Sequence, residues 1–195
     1  QPANAEIPIW LATLGPNSLE YTGKVADGWA GTSFLPSGAS ATIAHVRNGA
    51  LKAQRDPDAI QYQAGGAVQF GDDLDQLLVP RRPGVAFTLG AMGSPSTNFY
   101  NDAYRRGGFE EEAKLVQRLW VERERDKAIA AVPDELILQT NFLGTVPEVT
   151  QRVRAYQAAG INVLRVQPEG ADTQERLDSL GQIIDIVGGI NKETA

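Results

Sequence analysis

Few side chains in this sequence are of the kinds that do chemistry unaided. The 195 residues include one histidine, His45, and no cysteine, so thiolate chemistry, disulfides and iron–sulfur clusters are excluded. A lone imidazole makes a poor metal site, and none is predicted. His45 sits beside the apolar stripe of a predicted helix and reads as a solvated or capping side chain. Asp72-Asp73 is a carboxylate pair of the type used for general acid and base work, yet it opens a predicted helix, where acidic groups complement the dipole, and it reads as a cap. No catalytic residue is named. The stronger signal lies in the backbone. Residues 7–13 form a near-continuous apolar run, followed by Gly15-Pro16, and Pro16 suits the first position of a helix. The amides around Leu14, Gly15, Asn17 and Ser18 then stand free at a helix N-terminus and at the carboxyl end of a strand, a place where α/β proteins hold anions. A plain tight turn is the other reading of the same residues.

The elements that position this turn follow from periodicity. Leu19, Thr22, Gly23 and Ala26 recur at helical spacing, and Asp27-Gly28 stops the helix before a second apolar strand over 29–33. Right-handed crossover makes the two strands parallel. Thr32 and Ser33 end the second strand at the functional face, as hydroxyls for a phosphate or polar substrate or as turn residues satisfying their own backbone. A helix is predicted from Ala39 to about Gln54, with Ile43, Val46, Ala50 and Leu51 as its stripe. A strand over 60–70 follows, broken at Gly65-Gly66.

From Pro80 to about Leu143 the chain is longer than a simple crossover requires. This stretch holds Arg81, Arg82, Arg105 and Arg106, a Ser94-Pro95-Ser96 break and a charged helix from Glu110 to about Ala131. Thr145-Val146-Pro147-Glu148 is a capping box, and the helix it starts, carrying Val149, Val153 and Tyr156, stops at Gly160. In the strand over 161–167, Arg165 and Gln167 share a face with Val163; Arg165 is either salt-bridged or an anion ligand near the mouth. Asp172 to Glu175 is a second capping box, opening a closing helix with Leu177, Leu180, Ile184 and Val187 as its stripe. Residues 1–6 are polar and read as a former connection or a loose terminus.

At 42% hydrophobic the chain can bury one core, and a net charge of −6 disfavours nucleic acid and anionic membranes as partners. No apolar run approaches the roughly 20 residues of a membrane span, and no signal peptide is visible, so a cytoplasmic protein is expected.

Pro8-Ile9-Trp10-Leu11-Ala12-Thr13-Leu14-Gly15-Pro16 followed by Ala26-Asp27-Gly28-Trp29 resembles the C-terminal half of the bacterial luciferase-like family, in its branch of coenzyme F420-dependent oxidoreductases. The likeness continues through Met92-Gly93, Asn98-Phe99-Tyr100, Arg106-Gly107-Gly108-Phe109, Val132-Pro133-Asp134-Glu135-Leu136, Gly144-Thr145 and Ala159-Gly160-Ile161. No one of these motifs is specific; their order and spacing are. Members of the family form a complete (β/α)8 TIM barrel, which needs about 250 residues. This chain begins with Gln1 rather than Met, where the family has completed four strands. The resemblance therefore implies an α/β fold of parallel strands five to eight with their helices: a single half-barrel domain over 1–195, with a helical insertion at about 80–143 that packs over the barrel mouth and contributes to subunit contacts.

The resemblance also implies hydride transfer between a deazaflavin and a small organic substrate. The coenzyme-contacting turn matches Leu14, Gly15, Asn17 and Ser18, and the hydroxyl after the Ala-Asp-Gly strand matches Thr32. The four arginines either meet the acidic tail of the coenzyme or are solvated. The flavin mononucleotide (FMN) monooxygenase branch is the alternative, with a serine-rich turn where this chain has Leu14-Gly15-Pro16. A third reading is a non-catalytic half-barrel acting through assembly. Four parallel strands with open edges call for a partner, either a second copy as a homo-oligomer or a complementing N-terminal half-barrel.

Overall fold

A computed structural model describes residues 7–94 and 96–194. The expected N-terminal connection over 1–6, and Pro95 of the Ser94-Pro95-Ser96 break, lie outside the described residues. The chain folds as an α/β protein around one five-stranded sheet, parallel at every pairing.

Strand β1 (Trp10–Leu11) leads through helix α1 (Pro16–Val25) to β2 (Gly28–Ala30), and Trp10 pairs with Gly28. β1 is shorter than predicted, and Ile7 and Ile9 stay 73% and 59% exposed rather than buried on both faces. The physical reason is position. β1 is an edge strand of the described sheet, and just ahead of Trp10 the chain is held at Ile9, whose amide donates to the Asp27 carboxylate and whose O accepts from the Asp27 and Gly28 amides. Leu19, Thr22 and Gly23 form the buried face of α1, as the spacing predicts.

Helix α2 (Ala39–Lys52) packs across α1, and the contact is backbone on backbone. A Cβ on Gly23 would lie 1.8 Å from Val46 O, and one on Gly49 would lie 1.9 Å from Glu20 O. Val46 and Ala50 are buried on this helix; Leu51, expected in the stripe, is 61% exposed because Gly49 takes its place against α1.

Strand β3 (Gln61–Phe70) is continuous, so Gly65-Gly66 is not a break. The glycines instead admit neighbouring backbone: a Cβ would meet Arg165 O at 1.8 Å and Thr140 O at 2.0 Å respectively. Between β3 and β4 (Phe142–Gly144) run α3 (Leu74–Leu78), α4 (Arg82–Ala91), α5 (Phe99–Arg106), α6 (Glu110–Val121), α7 (Arg125–Ala130) and α8 (Asp134–Thr140). Asp73 caps α3 by accepting from the Gln76 amide at 3.2 Å. The charged helix predicted from Glu110 is two helices, parted where Arg123 takes a φ of +65°. β4 is one strand more than the sequence reading counts, three residues being too short to show alternation.

Helix α9 (Val146–Ala158) starts at the predicted capping box, where the Thr145 amide and hydroxyl both donate to Glu148 at 2.7 Å and hold its carboxyl below the usual range. Gly160, at φ +89°, turns the chain into β5 (Val163–Pro168), which pairs with β3. Asp172 caps α10 (Thr173–Thr194) through the Glu175 amide, but the Glu175 carboxylate reaches Ala171 rather than Asp172. The stripe of α10 is rotated from the predicted one. Leu177 and Ile184 are 55% and 60% exposed, whereas Ile183 and Ile190 are buried with Leu180 and Val187 packed beside them.

Apolar burial divides in two. Trp29, Tyr62, Ala64, Val68 and Phe142 from the sheet meet α1, α2, α9 and α10 in one cluster. Leu89, Tyr104, Val116, Leu136 and Ile137 form a second within the α3–α8 stretch, joined there by Leu35 and Leu143.

Candidate functional site

The turn between β1 and α1 is built as the sequence predicts. Gly15 is the N-cap in extended conformation and Pro16 opens the helix. Gly15 O accepts from the Leu19 amide at 2.9 Å, which starts the helical ladder, and Ser18 Oγ also donates to it. The amides of Asn17 and Ser18 have no acceptor among the described residues and point out of an exposed helix start. Behind the turn, Thr13 O accepts from Trp29 Nε1 at 3.0 Å, and the Thr13 and Thr22 hydroxyls lie 2.8 Å apart. Trp29 stacks edge-on to Phe34 at 5.8 Å, and Phe34 to Tyr156 at 5.4 Å, so the turn rests on a rigid aromatic base.

A cleft opens beside this turn, walled by Leu14, Thr32, Ser33, His45 and Arg106 among others. Its volume is about 40 Å³, far below the roughly 300 Å³ at which whole-ligand pockets begin. It has room for no more than one small group. Leu14 and Thr32 line it; Gly15, Asn17 and Ser18 form the adjoining helix start. The strand predicted to run to Ser33 ends at Ala30, with Gly31 N donating to Gln63 O at 2.6 Å. Thr32 is therefore an exposed turn residue whose hydroxyl is available, and Ser33 holds a left-handed φ of +51°. Ser33 is hydrogen-bonded to the Tyr104 hydroxyl; burial pushes that hydroxyl up and the Ser33 bond partly opposes the shift.

The four arginines separate cleanly. Arg81 pairs with Glu169 and also donates to Gln69 and Leu77 O; Arg82 pairs with Asp134 and Val132 O; Arg105 pairs with Asp102 and Glu110. Arg106 alone of the four reaches the turn, where its Nη2 donates to Leu14 O at 2.9 Å, with no carboxylate among the described residues in ion-pair range. It is brought there by α5, which ends against the 310 turn Pro36–Gly38. A Cβ on Gly38 would lie 2.6 Å from Gly107 Cα, and Ser37 Oγ donates to Gly107 O. Sequence reading placed Ser33 with Thr32 at the functional face and offered Arg106 only as one of four; it missed His45 in the wall of the cleft and Tyr104 as the partner of Ser33. The signal available for Arg106 was Gly107-Gly108, which marks a close backbone approach at that point. Among the described residues no cluster of metal-ligating side chains forms, and no helix is long and apolar enough to cross a membrane.

At the carboxyl end of a parallel α/β sheet the chain thus gathers a helix N-terminus, a hydroxyl turn and a cation, a set of donors whose chemistry suits an anion. The family follows directly: the luciferase-like monooxygenase family model matches residues 1–162, and the chain belongs to that family. It is 28% identical over 181 residues to a Mycobacterium tuberculosis protein provisionally named a coenzyme F420-dependent oxidoreductase, covering 92% of this chain and 52% of that one. It is 25% identical over 179 residues to the 5,10-methylenetetrahydromethanopterin reductase of Methanopyrus kandleri, covering 91% and 50%. The fold matches the solved coenzyme F420-dependent tetrahydromethanopterin reductase of Methanopyrus kandleri with a TM-score of 0.69 at 24% identity, over 90% of this chain and 49% of that one. An F420-dependent secondary alcohol dehydrogenase matches with a TM-score of 0.63 at 18% identity, over 96% and 50%. The chain thus spans about half the length of the relatives it matches.

Proposed function

We propose that this chain is the coenzyme-holding half of a luciferase-like oxidoreductase that uses coenzyme F420, acting on a small organic substrate in the cytoplasm. The observation that carries the reading is the pairing of the free Asn17 and Ser18 amides with Arg106, a cation anchored on a neutral carbonyl beside them. Coenzyme F420 and FMN both carry anionic groups. The donors present fit such a group: two amides on the positive end of a helix, a guanidinium with unused N–H groups and the Thr32 hydroxyl. When bound, the deazaflavin supplies hydride transfer. The chain's own residues bind and orient. Asn17, Ser18 and Arg106 grip the anion, Thr32 adds a hydroxyl, and Tyr104 fixes Ser33 in the wall of the cleft.

In this reading residues 1–195 are one half-barrel domain with a helical insertion at about 80–143. The complementing half supplies the acid and base groups, and none is assigned to this chain. The names of the relatives favour the deazaflavin over FMN.

Titration of the purified chain with coenzyme F420 and, separately, with FMN tests the proposal by fluorescence. The expected result is saturable F420 binding with FMN much weaker. Arg106→Ala should weaken F420 binding about ten-fold or more, the worth of one charge-assisted contact, with an unchanged circular dichroism spectrum. Absence of saturation with either coenzyme would overturn the reading for this chain.

A further inference from the structure

Two arginines among the described residues are desolvated enough that burial pulls the guanidinium below its usual range, Arg81 and Arg152. The first is answered by the Glu169 carboxylate. The second, on α9, donates through Nη1 to Leu143 O at 2.6 Å and has no carboxylate in ion-pair range among the described residues. The two carboxylates that favour its charge from farther away are engaged elsewhere: Glu148 accepts from Thr145, and Glu135 accepts from Gln139 Nε2 at 3.0 Å. A half-buried charge held by one neutral carbonyl is under-compensated.

This guanidinium stands in the wall of a groove of about 340 Å³ between α8, α9 and the 310 turn Pro36–Gly38, and the groove shares no lining residue with the coenzyme cleft. Its volume reaches the roughly 300 Å³ at which whole-ligand pockets begin. Pro36, Leu138, Ala155 and Tyr156 give it apolar wall. The other polar groups are already matched: Ser37 Oγ lies 2.8 Å from both Gly107 O and Gln139 Oε1, and the Tyr156 hydroxyl donates to Gln139 O at 2.9 Å. What stays unanswered is one positive charge beside apolar surface.

We propose that this groove binds a small monocarboxylate with an apolar body, the carboxylate on Arg152 and the body against Leu138, Ala155 and Tyr156. A guanidinium pairs with a carboxylate through two parallel N–H bonds, and partial desolvation strengthens the attraction. Glu135, on α8 in the same groove, repels a second negative charge, so dicarboxylates are selected against. The site is independent of the coenzyme reading, since none of its residues serves the β1–α1 turn.

A fluorine NMR titration of the coenzyme-free chain with 4-fluorobenzoate tests this. The expected result is saturable binding with a dissociation constant of about 1 mM or tighter. Arg152→Gln, which keeps a donor for Leu143 O, should weaken it about ten-fold or more. Ala155→Phe, at an exposed helix position, fills the groove without touching Arg152 and should abolish binding with an unchanged circular dichroism spectrum. Unlabelled benzoate should displace the probe, whereas benzamide and terephthalate should not. Absence of saturation in the wild type, wild-type binding by folded Ala155→Phe, or displacement by benzamide as effective as by benzoate overturns the proposal. Because the assay contains no coenzyme, its failure is separable from failure of the coenzyme titration.

Discussion

Arg105 and Arg106 are chain neighbours with opposite roles: the first is neutralised by Asp102 and Glu110, the second lies against Leu14 O across 92 positions of sequence. No local pattern distinguishes them, because the distinction is made by where α5 ends. The Gly15-Pro16 turn was legible for the opposite reason, since its conformation is set by the residues themselves. The tyrosines show a third case, in which burial alone sets behaviour. Tyr156 and Tyr104 are both buried, and desolvation pushes both hydroxyls above the usual range. The folded state therefore retains these protons where the unfolded chain has lost them. The stability they contribute is complete below the unfolded value of about 10 and is lost as pH rises above it. Tyr156→Phe should flatten that alkaline decline while costing about 1–2 kcal/mol near neutrality through the lost bond to Gln139 O. Urea midpoints compared at about pH 8 and about pH 11 would check both effects.

At the scale of elements, capping chemistry transferred from sequence to structure and apolar stripes transferred less well. The Thr145 box and the Asp172 cap form where they were read because each is closed within four residues. The stripes of α2 and α10 shifted because tertiary neighbours choose the buried face: Gly49 displaces Leu51, and Ile183 with Ile190 displaces Leu177 with Ile184. β1 shortened and Gly65-Gly66 stayed in strand for the same reason, the presence or absence of a neighbouring backbone. The α1 and α2 crossing is the most exacting of these contacts. Gly23→Ala would push a methyl into Val46 O, so α1 must tilt or separate. The expected cost is about 2–3 kcal/mol in a urea melt. Coenzyme binding should fall in parallel, since the tilt moves the helix start that presents Asn17 and Ser18.

In the whole molecule, the sheet and its helices form one cluster and the α3–α8 stretch another, and the candidate site lies across their join. The parallel α/β class was legible because strands, helices and caps alternate regularly, whereas the internal order of the long insertion depends on contacts that no short window contains. The join makes a distant prediction possible. Leu136→Ala removes a fully buried side chain from the second cluster and should cost about 2–5 kcal/mol. It should also weaken coenzyme binding without touching the turn, because Arg106 is carried by α5 on that cluster; thermal melts and the same titration would check it. The lone anchoring of Arg106 on a carbonyl has a kinetic consequence as well. A chain of net charge −6 repels an anion at long range, and only within about a Debye length does an unneutralised guanidinium reverse the sign. Capture of an anionic coenzyme should then quicken with modest salt, as the distant repulsion is screened first, before higher salt shortens the lifetime of the contact itself.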